Sequence, residues 1–257
     1  INNADDPPFA TAIQLNPATG QLTFAYNITL TAANGVDATN GAEQPVWDPG
    51  TQRFYLSIPQ IGTIASQGGV ARINPISGQV EAVYRVDFCS PAGLALGASG
   101  QLLVGCNTVF DTLGAKWNGL DPNTAAPQYV IIRAADGAVI TNILGAGVGD
   151  EVWYNPGDDN FYAASSGSPL APSEIVPATP LTAQGAAVLG VIDATAGTLL
   201  QLVPTFNVPA IAGTGGHPAG TAHSVAASAT TNHVFVPLAA NNVYPDCLDG
   251  CIAVYGR

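Results

Sequence analysis

The chain has 257 residues, enough to bury a large core, and nothing in its composition splits it, so residues 1–257 read as one domain. Hydrophobic residues make up 47% and charged residues 9%, with 29 Gly and 20 Pro, which argues against disorder and fits many tight turns between buried strands. The formal net charge of −12 reflects only 6 Lys and Arg, and such a surface repels phosphate backbones and anionic lipid heads, excluding nucleic acid and anionic membrane as expected partners while favouring cations.

No run of residues is long and apolar enough to read as a membrane helix, and no basic start followed by an apolar core marks a retained signal peptide. Met is absent, including from position 1. A chain that begins Ile1-Asn2 is expected to have been processed or cut from a longer precursor, export being the commonest reason. Lys116 is the only lysine, unusual for a cytosolic protein. The expected location is extracellular.

In chain order, AIQLNPATGQLTF from Ala12 opens a series of paired apolar runs joined by turn residues. It is followed by the sequon Asn27-Ile28-Thr29, which fits a glycan on an outer strand of a secreted protein. EQPVWDPGTQRFYLSI from Glu43 is a second kind of phrase, and VARINPISGQVEAVY from Val70 returns to the first. The two kinds then alternate: PAGLALGASGQLLVG from Pro91, VIIRAADGAVITNI from Val130, DEVWYNPGDDNFYAAS from Asp150, VLGVIDATAGTLLQLV from Val188 and AHSVAASATTNHVFVP from Ala222. A last strand runs from Cys251 to Tyr255.

A period of roughly 55 to 60 residues carrying short strands is the signature of radial repetition, in which each unit stacks on its neighbours to bury both faces. The expected fold is an all-β β-propeller with four-stranded antiparallel blades, each made of an inner pair and then an outer pair. Three complete units run from Glu43 to Val203, and the pair at residues 12 to 29 is an outer pair with no inner pair before it. Five or six blades are expected. Strands from both termini are expected to share one blade, because that removes the exposed edges of a free sheet.

Four cysteines in an exported chain read as two disulfides. Antiparallel pairing of the strands around them brings Cys89 to Cys106, and Cys247 and Cys251 close a small loop. A Cys-x-x-x-Cys redox or metal site is the alternative for the second pair.

Inner strands of a propeller converge on a central channel, so residues at one position of the inner phrase gather there from several blades. Aligning Trp47-Asp48-Pro49 with Tyr154-Asn155-Pro156 sets Glu43 opposite Asp150, and aligning Phe54-Tyr55 with Val234-Phe235 sets His223 there too. The remaining unit has Ala92, with Ser90 two residues before it. Carboxylates supply hard oxygen ligands for calcium and an imidazole favours zinc, so Glu43, Asp150 and His223 form a candidate divalent-metal site. The same groups suit proton transfer, with Asp150 and His223 as candidate catalytic residues. A water-filled channel lined by polar strand starts is the plain alternative.

EQPVWDP at Glu43 resembles the E-x-P-x-W segment of the gluconolactonase and regucalcin family, six-bladed propellers in which that Glu binds a divalent metal. The segment from Gly68 to Cys106 and the ending LDGCIAVYGR also resemble that family. The resemblance implies metal binding by Glu43 and lactone hydrolysis in the channel. The chain departs from the family's pattern of two Asn ligands and a later catalytic Asp, since the matching places hold Asp150 and His223. Asn107, after an inner-blade strand, is a candidate for the remaining ligand or a turn-forming Asn.

Other motifs carry less. GTGGHPAGTAH, from Gly213 to His223, is a Gly-rich loop that reads as a lid over the channel or as a plain connection, and it lacks the Lys-Ser/Thr of a nucleotide loop. His233 reads as structural. Trp47 and Trp153 read as blade-packing aromatics or as sugar-stacking ones. No G-x-S-x-G elbow supports a serine nucleophile. Two functions follow as expectations: a secreted metal-dependent hydrolase of a lactone or related ester, or a non-catalytic propeller that binds a carbohydrate, small molecule or protein through its loops at 108–127, 166–185 and 204–221.

Overall fold

The computed structural model describes residues 1–2, 6–117, 129–146, 148–167, 187–205, 210–218 and 222–256. Each predicted phrase becomes an antiparallel hairpin. The first, β1 (Phe9–Leu15) and β2 (Leu22–Thr29), forms a two-stranded sheet. Next comes a four-stranded sheet in the order of the chain: β3 (Pro45–Asp48), β4 (Arg53–Ile58), β5 (Gln67–Ile73) and β6 (Val80–Asp87). The third sheet repeats the pattern with β7 (Cys89–Leu96), β8 (Gln101–Val109), β9 (Tyr129–Arg133) and β10 (Val139–Ile143). The fourth has β11 (Val148–Asn155), β12 (Asn160–Gly167), β13 (Val188–Asp193) and β14 (Thr198–Pro204). β15 (Ala226–Ala227), β16 (Val234–Leu238) and β17 (Cys251–Tyr255) form the fifth, three-stranded sheet.

The turns explain why the strands end where they do. Asp48 accepts hydrogen bonds from Gly50 N, Thr51 N and Thr51 Oγ1 at 2.8, 3.2 and 2.8 Å, which closes the β3–β4 turn. Gln52, Asp159 and Asn232 occupy the same place in three inner-pair turns, each with φ near +55° (55°, 55° and 56°).

The core lies between sheets. One cluster joins Tyr55, Val70 and Tyr84 of the second sheet to Leu102, Val104 and Ile132 of the third. The next joins Leu103, Tyr129 and Ile131 to Phe161, Ala163 and Ile192, so alternate residues of β8 and β9 face opposite neighbours. Another joins Tyr162 and Leu189 to Val234 and Val236. Polar staples cross the same boundaries: Tyr55 Oη donates to Ala134 O at 2.6 Å, Gln101 Nε2 to Ala194 O at 3.2 Å, and Asn155 Nδ2 to Asn232 Oδ1 at 3.1 Å.

Both expected disulfides are present, Cys89–Cys106 and Cys247–Cys251. The expected sharing of one blade by the two termini is not seen among the described residues. β17 pairs with β16 from Val234↔Tyr255 to Leu238↔Cys251 and so takes third place in its own sheet, while β1 pairs with β2 in a separate one. Cys247, whose carbonyl oxygen accepts from Asn241 N at 2.9 Å, is bonded to Cys251, which stands directly opposite Leu238.

Candidate functional site

The inner strands bring their starts together. Gln44, just before β3, donates from its backbone N–H to Ala92 O at 3.3 Å, and its Oε1 accepts from Leu94 N at 3.2 Å. Gly93 in β7 stands so close to β11 that a Cβ there would lie 2.6 Å from Asp150 O, a spacing only glycine permits. Beside these contacts opens a polar cavity of about 590 Å³, lined by Asp6, Thr39, Asn40, Glu43, Ser90 and Asn107 among others.

Asp150 sits in β11 with its side chain 29% exposed. One carboxylate oxygen accepts from Asn107 Nδ2 at 3.2 Å, and the other lies 3.5 Å from His223 Nε2. The imidazole's Nδ1 is 3.0 Å from Ser224 Oγ. Asn107 of the third sheet, Asp150 of the fourth and His223, just before β15, therefore form one polar chain, and Asn107 joins that chain to the cavity that Glu43 lines. Ion pairing of Asp150 with His223 requires the imidazole to be protonated.

Beneath Asp150 the site meets the core. Tyr129 is fully buried, and its hydroxyl has no hydrogen-bond partner among the described residues. Burial, and secondarily the charge of Asp150, raises the pKa of its hydroxyl, so Tyr129 stays neutral. Gly149 makes room for the ring: a Cβ there would come 2.1 Å from the Tyr129 hydroxyl oxygen.

The structure thus places Asp150 and His223 in contact and puts Glu43 on the cavity wall. Among the described residues no group of three or more His, Cys, Asp and Glu side chains is arranged to hold a metal ion. Asn107 enters the polar chain as an amide donor. Sequence reasoning missed Asp6, Thr39, Asn40 and the buried Tyr129 hydroxyl. A signal existed for the far end of β8, where Asn107-Thr108 interrupts an apolar strand.

His233 lies at the β15–β16 turn, with its backbone N–H 3.4 Å from Thr231 Oγ1. In the Gly-rich loop, Ile211 and His217 exchange backbone hydrogen bonds at 3.0 and 2.9 Å, while residues 219–221 lie outside the described residues. Parts of all three loops proposed as contact surfaces, namely 118–127, 168–185, and 206–209 with 219–221, also lie outside them. Trp47 packs on Phe54 with ring centroids 5.0 Å apart and remains 40% exposed, and Trp153 is 45% exposed.

No family model matches the chain, and no curated protein matches it in sequence. Among solved structures it is similar to a functionally unknown protein from Desulfotomaculum acetoxidans, at TM-score 0.54 and 12% identity, covering 99% of this chain and 65% of that one. It is also similar to a hypothetical selenium-binding protein from Sulfolobus tokodaii, at TM-score 0.59 and 9% identity, covering 98% of this chain and 56% of that one. These matches are to β-propellers, and the chain has that fold, spanning between about half and two thirds of the length of the two structures.

Proposed function

We propose that the channel mouth binds a small polar ester or lactone and that Asp150 and His223 promote its hydrolysis. The observation that carries this reading is the chain Asn107–Asp150–His223, in which an amide from the third sheet, a carboxylate from the fourth and an imidazole from the segment before β15 meet beside a polar cavity. Asn107 Nδ2 holds the carboxylate in place. Asp150 then accepts the proton of a water as its oxygen attacks the carbonyl carbon, and protonated His223 stabilises the charge that develops and returns a proton to the departing alkoxide. The likeness of the Glu43 segment to gluconolactonases and regucalcin favours the same substrate class.

Calcium or zinc held by Glu43, Asp150 and His223 belongs to this proposal, with the Asn107 amide oxygen as a further donor. Among the described residues no three His, Cys, Asp or Glu side chains are arranged to enclose a cation. The proton chemistry therefore rests on the Asp150–His223 pair alone. The two disulfides favour an extracellular, oxidising setting. A second reading, non-catalytic binding of a polar small molecule or carbohydrate in the same cavity, draws on its hydroxyl, amide and carboxylate lining.

Elemental analysis of the undialysed protein and of Glu43→Gln, followed by a lactone and ester hydrolysis screen, tests the proposal. Hydrolysis that falls about 100-fold or more in Asp150→Asn, with the fold intact, supports it. Ligand binding without turnover in the wild-type chain supports the second reading. Metal that is bound by the wild type and lost in Glu43→Gln supports the cation.

A further inference from the structure

The β1–β2 hairpin has two unlike sides. Its register sets Thr11↔Asn27, Ile13↔Phe24 and Leu15↔Leu22 on one side, because side chains alternate along a strand and the extra residue at the bulge, Ala25, falls in β2. The opposite side is occupied: Ile28 packs on the core cluster that holds Leu56 and Ile73 of the second sheet, and Tyr26 Oη donates to Pro75 O.

The first side is open and apolar. Ile13, Leu15, Leu22 and Phe24 are 60%, 56%, 65% and 68% exposed, and they stand in adjoining cross-strand pairs, so they form one continuous patch. From Phe9 to Thr29 the hairpin contains no charged residue. Contiguous exposed apolar surface of this kind marks a place where something binds or covers the chain.

A covering group is specified one row further along the same side. Asn27 opens the sequon Asn27-Ile28-Thr29, and its pair with Thr11 lies about 7 Å along the strands from the Ile13↔Phe24 pair. Asn27 and Thr29 are both exposed. Thr11 Oγ1 donates to Asn27 Oδ1 at 2.8 Å, which orients the amide and leaves Nδ2, the nitrogen that carries an N-linked glycan, without a partner among the described residues.

We propose that Asn27 is N-glycosylated and that the first sugars of the glycan lie over Phe24 and Ile13 as the cover of this face. The co-reactant is an oligosaccharide carried on a polyisoprenyl diphosphate. Asn27 Nδ2 forms the bond to the anomeric carbon of its N-acetylglucosamine, the bond from that carbon to the diphosphate breaks, the lipid diphosphate leaves, and the amide loses one proton. The C–H face of the sugar ring packs on Phe24 while its hydroxyls stay in water, so apolar surface is covered and no polar group is buried. A second copy of the chain is the poorer cover, because each carries a formal charge of −12 and approaches against the field of the other. The inference rests on the extracellular setting proposed above and is independent of the chemistry in the channel.

The test uses the whole chain secreted from a eukaryotic host behind an added signal sequence. The host supplies donor and transferase, so a bare Asn27 counts against the site and not against the setting. Peptide mass spectrometry is expected to find the glycan on Asn27. Nile red, a neutral dye for apolar surface, should then fluoresce about threefold more with the folded chain stripped by amidase, or carrying Asn27→Gln, than with the glycosylated chain. Adding Phe24→Ser to Asn27→Gln should return the signal to the glycosylated level. An unmodified Asn27 overturns the proposal, as does dye binding that removal of the glycan leaves unchanged. Dimers of the glycosylated chain that Phe24→Ser dissociates also overturn it and make a second copy the occupant.

Discussion

The backbone of Gly93 in the third sheet lies against the carbonyl oxygen of Asp150 in the fourth, at a separation that leaves no room for a side chain. This contact sets the distance between two inner strands at the channel and with it the position of the Asp150 carboxylate. Gly93→Ala should push β7 and β11 apart, costing about 1–3 kcal/mol of stability. It should also weaken the Asn107–Asp150 contact. Denaturant unfolding measures the first effect, and loss of any hydrolytic activity at unchanged secondary structure the second.

Tyr129 supplies an opposite expectation. Among the described residues its hydroxyl is buried without a partner, so removing it discards a desolvation cost and no hydrogen bond. Tyr129→Phe should raise stability by about 1 kcal/mol, read as a higher denaturation midpoint at unchanged slope. A drop in stability would mean that the hydroxyl is satisfied by bound water.

The two disulfides should contribute unequally. Cys89–Cys106 spans 17 residues and Cys247–Cys251 spans 4. Loop-closure entropy gives about 3 kcal/mol for the first and about 2 kcal/mol for the second as upper values. Paired Cys→Ser variants compared by thermal unfolding should show the larger loss for the first.

Acid stability should depend on Glu81. Hydrogen bonds from Arg53 first, and from Asn74 second, lower its pKa from 4.5 to about 2. A carboxylate whose pKa is depressed by folding stabilises the fold above its unfolded pKa, and that contribution disappears as the pH falls through the folded value. The window is therefore from pH 4.5 down to about 2. Glu81→Gln should flatten the loss of stability across that window, and salt should shrink the difference because the pair is partly exposed. Urea midpoints at several pH values check both points.

The strand plan was legible because alternation of apolar residues and the Asn-Pro-x-x-Gly and Asp-Pro-Gly turns are local signals, each contained in one phrase. The partner of β17 was not. Cys251 to Tyr255 reads as a strand by its own residues, but whether it joins β16 or a strand near the other end of the chain depends on register across the ring, which no single phrase encodes. The site was partly legible for the same reason. Repeat alignment fixes a position along each inner strand, and it led to Glu43, Asp150 and His223. It does not fix the distance around the channel, and so it could not separate the Asp150–His223 contact from the place of Glu43 on the cavity wall. Tyr129 was hidden because an aromatic residue starting an apolar strand carries no mark of where its hydroxyl ends.

The apolar clusters described above each belong to two sheets, which determines how damage travels in this molecule. A cavity cut at Phe161 weakens the seam between the third and fourth sheets while leaving the hydrogen-bond ladders of both whole, so the sheets would part along that seam before either one frayed. Resistance to heat or protease should accordingly be lost seam by seam, and the weakest seam, wherever it lies, sets the limit for the entire ring.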